Sequence, residues 1–488
     1  MVPWRDGDSH ENIHENVNVT WPYEPQLDNI TAPYVKSIMN YNNATLPRLQ
    51  CPTLTGSRYD YLRAATEKKG SQDVRYFFAL NLKQSEHLMA GLLGSVVETA
   101  RFLGISSCAL SIVEGNSEDA TRNILTALQP ELQRIGLRYF LNLTDINPKV
   151  GERIDKLAQL RNLALDPLTS SAVAADADTT IVFLNDVSPC PEDLLELVHQ
   201  RRLQSADMTC AMDWTYVGKD PTFYDVWVAR TLRGDSFFQI PPDGSWNQAW
   251  DIFAGDPDTQ RRYIDKNPFQ VFACWNGATA FTAGPILGLP ADPGRGPAGE
   301  AHGGQVVFRF NRKDECYAGE PTLFCKDLWW AGYGRIAVIP SVNIEYSDEA
   351  STKIKQLKGF TSKWTAQEDL PAAKILWEAE PPEKWKFTLG VTLKTYQERE
   401  GENQIIFGVI AIVSGTPNNG GGTMAEQITK GTIWAISNAG KGTYAHMDTS
   451  RVSAAGMSCG SIEAYAEGSK EDEEGEGRLW IACGIYDR

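Results

Sequence analysis

Asn185 and Asp186 end a run of β-branched and apolar residues, and a proline-led acidic stretch follows them (TTIVFLNDVSPCPEDLLEL, residues 179–197). A carboxylate at the end of a buried strand can hold a divalent cation through hard oxygen ligands. It can also cap a helix. A helix starting near Pro191 lies awkwardly far from Asp186 for capping. In open α/β sheets ligands bind beyond the carboxyl ends of the strands, so residues at those ends are read together. Asn81 ends one candidate strand and Glu114 ends another, before GNSEDAT. Arg161 lies on a candidate helix, in LRN. Together with Asn185 and Asp186 these are the groups a nucleotide diphosphate would use. Asp186 would serve the metal, Arg161 would neutralise phosphate with its forked guanidinium, and Glu114 would accept from base or ribose. Asn81 and Asn185 complete the set of nucleotide-binding candidates at this rim.

A second group of acids follows further on. Asp213 ends the apolar run TCAM, Asp225 sits in FYDVW, and Glu320 and Asp327 flank Cys325. A carboxylate in such a cleft can stabilise a developing positive charge or act as a nucleophile. Asp213, Glu320 and Asp327 are the residues expected there, with Asp225 a further candidate. A buried carboxylate bonded to backbone is the competing reading of Asp213, and a surface loop that of Glu320. The tryptophans nearby, Trp214, Trp227, Trp275, Trp329 and Trp330, suit either sugar stacking or a core.

These residues need elements to carry them. From residue 74 strand and helix patterns alternate: VRYFFALNL, a helix to residue 104, CALSIVE, a helix ended by Gly136, LRYFLNL, a helix over 150–168, and TTIVFLND. Such alternation builds a mostly parallel, Rossmann-type α/β sheet with helices on both faces. On the third helix Ile154, Leu157, Leu160 and Leu163 trace an apolar stripe beside Arg161. Beyond residue 208 strand candidates include MTCAMDW and GRIAVIPSVNIEY. Residues 1–70 are polar and read as a stem, 71–385 as the main domain, with 365–385 linker-like. Residues 386–488 read as a small β-rich segment, rich in glycine turns.

The chain has 46 Lys+Arg against 62 Asp+Glu, a net charge of −16 over 488 residues, which excludes broad nucleic-acid backbone binding. The apolar run IIFGVIAIV is too short to span a bilayer. Four Asn-X-Ser/Thr sequons occur, at Asn18, Asn29, Asn43 and Asn142, and three cluster near the start. That clustering fits a glycosylated stem as well as a plain polar leader. Of 9 cysteines, Cys316 and Cys325 are close enough to bridge or to stay free.

The ordered set SIVEGNSEDAT, ERIDKLAQLRN, VFLNDVSPCPEDLLEL, CAMDW, FYDVWVAR, CWNGATAF and ECYAGEPTLFCKDLW resembles the fungal cryptococcal α-1,3-mannosyltransferase and capsule-associated protein family, glycosyltransferase family 69. The likeness covers roughly residues 72–348 and leaves the last hundred residues unaccounted for. It implies a GT-A fold, GDP-mannose as donor, Mn²⁺ or Mg²⁺ as cofactor, and a mannoside or polysaccharide acceptor. It further implies an α-linked product with retained configuration and a type II protein of the Golgi lumen. Membrane attachment would come through an N-terminal anchor not present in this sequence. The position of the family's D-x-D motif reads Asn185-Asp186-Val187, with one carboxylate. That departure motivates the competing expectation of a GT-A scaffold that binds glycan or nucleotide sugar without turnover. In a third reading the β-rich tail binds carbohydrate through Trp434, Tyr444, Tyr465 and Trp480.

Overall fold

The computed structural model describes residues 25–385, apart from short breaks of which 64–72 and 292–303 are the longest, and the pairs 463–464 and 480–481. Seven-residue strands β1 (Tyr76–Leu82) and β2 (Cys108–Glu114) lie parallel, joined by helix α2 (Met89–Leu103). Helix α3 (Thr121–Arg134) leads to β3 (Arg138–Leu143), and α4 (Arg153–Thr169) leads to β4 (Thr180–Leu184). All four strands are parallel, in the order β3-β2-β1-β4. Their continuous apolar character follows from burial on both faces: every residue of β2 and β4 is buried.

The sheet then changes direction. Strand β8 (Ala278–Thr282) runs antiparallel to β4 and to β5 (Met208–Tyr216), and β5 is parallel to β9 (Ile336–Ile344). Short strands β6 (Pro221–Phe223) and β7 (Phe269–Gln270) complete nine, with β6 beside β5 and β7 beside β9. This is the mostly parallel α/β sheet expected from the alternation. Residues of alternate parity feed two cores. Tyr76, Phe78 and Leu80 face α2, α3 and α5 (Pro191–Leu203), whereas Phe77 and Ala79 face α4. Burying each such aromatic or leucine side chain contributes about 1.5–3 kcal/mol.

Helix α5 is polar in sequence yet buried along nearly its whole length. Two of its three acids are neutralised, each from a different side. Glu196 accepts from Arg58 at 2.7 and 2.9 Å and from Tyr59 at 2.6 Å. Asp193 accepts from Lys355, on α8 (Asp348–Lys358), at 2.6 and 2.7 Å and from Thr361 at 2.6 Å.

The N-terminal residues therefore correct the expectation of a stem over 1–70. Helix α1 (Pro25–Met39) contributes Ile38 and Met39 to a core, Tyr59 and Leu62 join it, and Cys51 is disulfide-bonded to Cys190 at the start of α5. Residues 1–24 lie outside the described residues. The linker-like segment also packs on the body. Trp385 stacks on Phe272 at 4.9 Å, and Trp377 donates to the Gln204 carbonyl. Of the β-rich tail, the described residues show one antiparallel pairing, Glu463–Ala464 with Trp480–Ile481, and its other expected strands lie outside them. No helix among the described residues is long and apolar enough to cross a membrane.

Candidate active site

The carboxyl ends of β1, β2, β4, β5 and β9 and the start of β8 meet at one rim. Register brings the groups together: Leu82 lies beside Glu114, Leu184 opposite Ala278, and Asp213 beside Ile344. On the nucleotide side Glu114 is fully buried. Its Oε1 accepts from the Ser117 N–H at 2.6 Å and its Oε2 from Arg122 Nε at 3.1 Å. The Asn81 amide lies between the Leu160 carbonyl, to which it donates, and the Arg161 N–H, from which it accepts. Both residues therefore stand at the rim, as their positions implied, with polar atoms engaged by protein.

Asn185 is held by two bonds to the turn before β8. Its N–H donates to the Gly277 carbonyl at 2.8 Å, and its Oδ1 accepts from Trp275 Nε1 at 3.0 Å. That turn has two successive left-handed residues, Asn276 at φ 54° and Gly277 at φ 75°. A Cβ at Gly277 would also meet Val187 at 3.0 Å and Ile344 at 3.1 Å, so only glycine fits there. Beside Asn185, the Asp186 side chain is open to solvent yet recessed. Desolvation raises its pKa, and His87 nearby opposes the shift.

The described residues contain no group of three His, Cys, Asp or Glu side chains that could hold a metal ion. One open carboxylate beside a carboxamide oxygen nevertheless suits a hard cation that takes most of its oxygens from a diphosphate and water.

Across the rim, Asp213 is fully buried. Its Oδ2 accepts from the Tyr346 hydroxyl at 2.6 Å and its Oδ1 from the Asp225 N–H at 3.3 Å. Its backbone carbonyl accepts from the Tyr224 N–H at 3.1 Å. Burial and the neighbouring Asp225 push its carboxyl well above the ordinary range. Asp225 Oδ2 accepts from the Asn276 N–H at 2.8 Å. Burial raises its carboxyl too, and Arg161 and Arg230 partly offset this. The Tyr224 ring, 46% exposed, lies 4.7 Å from that of Tyr346.

Arg161 and Glu320 are brought together. Arg161 Nε donates to Glu320 Oε1 at 2.8 Å, and its guanidinium lies 4.3 Å from the Trp275 ring centre, flanked by Phe183 and Phe308. The stripe on α4 is rotated from the expected one. Ala158, Leu160, Ala164, Leu165 and Leu168 are buried, while Ile154, Leu157 and Leu163 are half-buried. That rotation turns Arg161 inward.

Asp327 does not join the group. Two turns along α7 (Glu320–Trp330), it is gripped by Arg309 at 2.6 and 2.9 Å in a network with Glu315 and Lys326. Both oxygens of this expected catalytic candidate are thus engaged by the arginine. Cys325 is a buried free thiol, and its expected partner Cys316 lies outside the described residues. Among the described residues the disulfides are Cys51–Cys190 and Cys210–Cys274, the latter beneath the rim. The bond from Tyr346 to Asp213 escaped the sequence reading, as did the anchoring done by the Trp275–Asn276–Gly277 turn, of which Trp275 stood only as a candidate for stacking or core. Tyr346 ends a late strand just as Asp186 ends β4, and that was its signal.

The family described as cryptococcal mannosyltransferase 1 matches residues 75–327, over half the chain, from Asn81 through Glu320 of the site. The chain is 32% identical over 368 residues, 71% of its length and 75% of the relative's, to alpha-1,3-mannosyltransferase CMT1 of Cryptococcus neoformans. Among solved structures it shows distant likeness to S. aureus TarS 1-349, with TM-score 0.30 and 13% identity over 62% of this chain and 68% of that one. A similar likeness is to mannosyltransferase PcManGT of Pyrobaculum calidifontis in complex with GDP-Man and Mn²⁺, with TM-score 0.31 and 13% identity over 65% and 67%. On the family match and the extent of identity, the chain belongs to the cryptococcal mannosyltransferase family.

Proposed function

We propose that the protein transfers mannose from GDP-mannose to a hydroxyl of a mannoside or polysaccharide, forming an α-1,3 bond with retained configuration. The observation that carries this reading is the open carboxylate of Asp186 at the end of β4, in a chain 32% identical to an alpha-1,3-mannosyltransferase. The donor's nucleotide would lie over β1, β2 and β4, near Asn81, Glu114 and Asn185. Its sugar would lie toward β8 and β5. Asp186, with Asn185 beside it, would hold Mn²⁺ or Mg²⁺. Such an ion neutralises charge on the departing diphosphate.

The chain's own residues would do the rest. Trp275 fixes Asn185 and underlies Arg161, so the carboxamide and the guanidinium share one platform. Arg161 adds positive charge to the wall of the cleft while Glu320 keeps it oriented. The exposed Tyr224 ring offers an apolar face to a sugar. The disulfides Cys51–Cys190 and Cys210–Cys274 suit an oxidising secretory compartment such as the Golgi lumen.

The lone carboxylate at Asp186 favours one alternative, a scaffold that binds nucleotide sugar without turnover. A screen of sugar nucleotides with Mn²⁺, followed by linkage analysis of the product, tests the proposal. Mannosyl transfer from GDP-mannose supports it. Binding of GDP-mannose with neither hydrolysis nor transfer, across a panel of mannosides, selects the alternative.

A further inference from the structure

Four carboxylates beyond Asp186 lie on or near the acceptor side, and their oxygens are unequally committed. Asp213 is fully buried with both oxygens bonded. Glu320 is 3% exposed and paired with Arg161. Asp327 is gripped on both oxygens by Arg309. Of the four, Asp225 alone combines partial exposure with a single anchored oxygen, Oδ2, held by the Asn276 N–H. Its Oδ1 has no hydrogen-bond partner among the described residues and is not sealed from solvent.

The anchoring matters as much as the opening. Asp225 follows Tyr224, and both backbone N–H groups of this pair donate to Asp213, one to its carbonyl and one to its side chain. Asp213 is in turn fixed by the Tyr346 hydroxyl. The Asn276 N–H that holds Oδ2 belongs to the same turn that holds Asn185 beside Asp186. One rigid turn thus sets the spacing between the cation-side carboxylate and the open oxygen of Asp225. A site for charge stabilisation requires such preorganisation.

We infer that Asp225 is the carboxylate that faces the anomeric carbon, and that Asp213 and Tyr346 are positioning residues that hold its open oxygen toward the transferred sugar. This rests on the mannosyl-transfer reading above. In the step, the bond from the anomeric carbon to the diphosphate oxygen breaks and its electron pair leaves with GDP. The acceptor oxygen forms the new bond, and its proton passes to the departing diphosphate. Asp225 Oδ1 faces the positive charge that develops between the two events.

The test compares Asp225→Asn and Tyr346→Phe with the parent in GDP-mannose turnover, and measures GDP binding calorimetrically with Mn²⁺ present. Asp225→Asn is expected to lose at least about a hundredfold in kcat while its GDP affinity stays within about threefold of the parent. Tyr346→Phe is expected to lower kcat about tenfold with KM for GDP-mannose unchanged. Turnover by Asp225→Asn within tenfold of the parent overturns the inference. So does GDP affinity that falls in step with its activity, since Asp225 would then serve the donor or the fold. An equal rise in KM for Tyr346→Phe removes that residue from the positioning role. If the parent itself neither hydrolyses nor transfers from GDP-mannose, the underlying reading falls, and the inference with it.

Discussion

Arg161 donates through Nε to Glu320 Oε1 at 2.8 Å, and the two side chains are only 11% and 3% exposed. This buried pair joins α4 to the first turn of α7. It stands over Trp275, which also holds Asn185. A surface salt bridge would contribute at most about 1 kcal/mol, but a buried pair leaves a costly uncompensated charge when one partner goes. Arg161→Lys keeps the charge and loses the fork and the stacking on Trp275. We expect kcat/KM for GDP-mannose to fall at least about tenfold, roughly 1.4 kcal/mol, and the melting temperature to fall by several degrees. Kinetics and thermal melts that both match the parent would remove Arg161 from the site.

Asp186 behaves differently because it is open to the cleft. Its loss leaves no buried partner unsatisfied, so Asp186→Ala should shift stability by no more than about 0.5 kcal/mol. Transfer should fall at least about a hundredfold, and raising Mn²⁺ should not restore it. Near-normal activity of this variant at low Mn²⁺ would show that the cation, if used, sits elsewhere.

Most of the fold could be read in the sequence, since both faces of the parallel strands are covered and their residues run continuously apolar between recognisable helices. The rim was legible for the same reason, because strands end where polar residues begin. Partnership was not legible. Nothing local in LFCKDLW reveals that Asp327 is taken by Arg309, or that Glu320 belongs to Arg161 from 159 residues earlier. The N-terminal segment misled for a related reason. Its polar residues look solvated, yet Arg58 and Tyr59 satisfy Glu196, 138 and 137 residues away.

That packing changes what a truncated chain should do. A protein beginning at residue 71 would lack Cys51, Arg58 and Tyr59, which leaves Glu196 buried without its arginine and α5 without its disulfide. Removing one partner of a buried ion pair typically costs about 3–5 kcal/mol. A disulfide closing a loop of more than a hundred residues contributes on the order of 4 kcal/mol. Either loss approaches the whole stability of an ordinary domain. Residues 71–385 expressed alone should therefore be insoluble or lack a cooperative melt, whereas 25–385 should fold. A soluble, cooperatively melting 71–385 would show that the N-terminal segment is dispensable.

Glu192 provides a pH test of the same helix. It lies one turn from Glu196, 5% exposed, and its Oε1 has no hydrogen-bond partner among the described residues. Burial first, and Asp193 second, push its carboxyl up to about 7, although Lys355 and Ser362 pull the other way. The sign follows from which state binds more protons. Between about pH 4.5 and 7 the folded protein keeps a proton on Glu192 that the unfolded chain has lost, so stability falls as pH rises through this window. Above pH 7 the folded state carries the full cost of a desolvated carboxylate, on the order of 3 kcal/mol at about 1.4 kcal/mol per pKa unit. Glu192→Gln has the same shape and cannot ionise. It should raise the melting temperature at pH 8 by several degrees and leave it nearly unchanged at pH 5. Melts recorded at both values decide the matter. An equal shift at the two pH values would mean that the substitution acts through packing, and that Glu192 is already neutral, or already compensated, at pH 8.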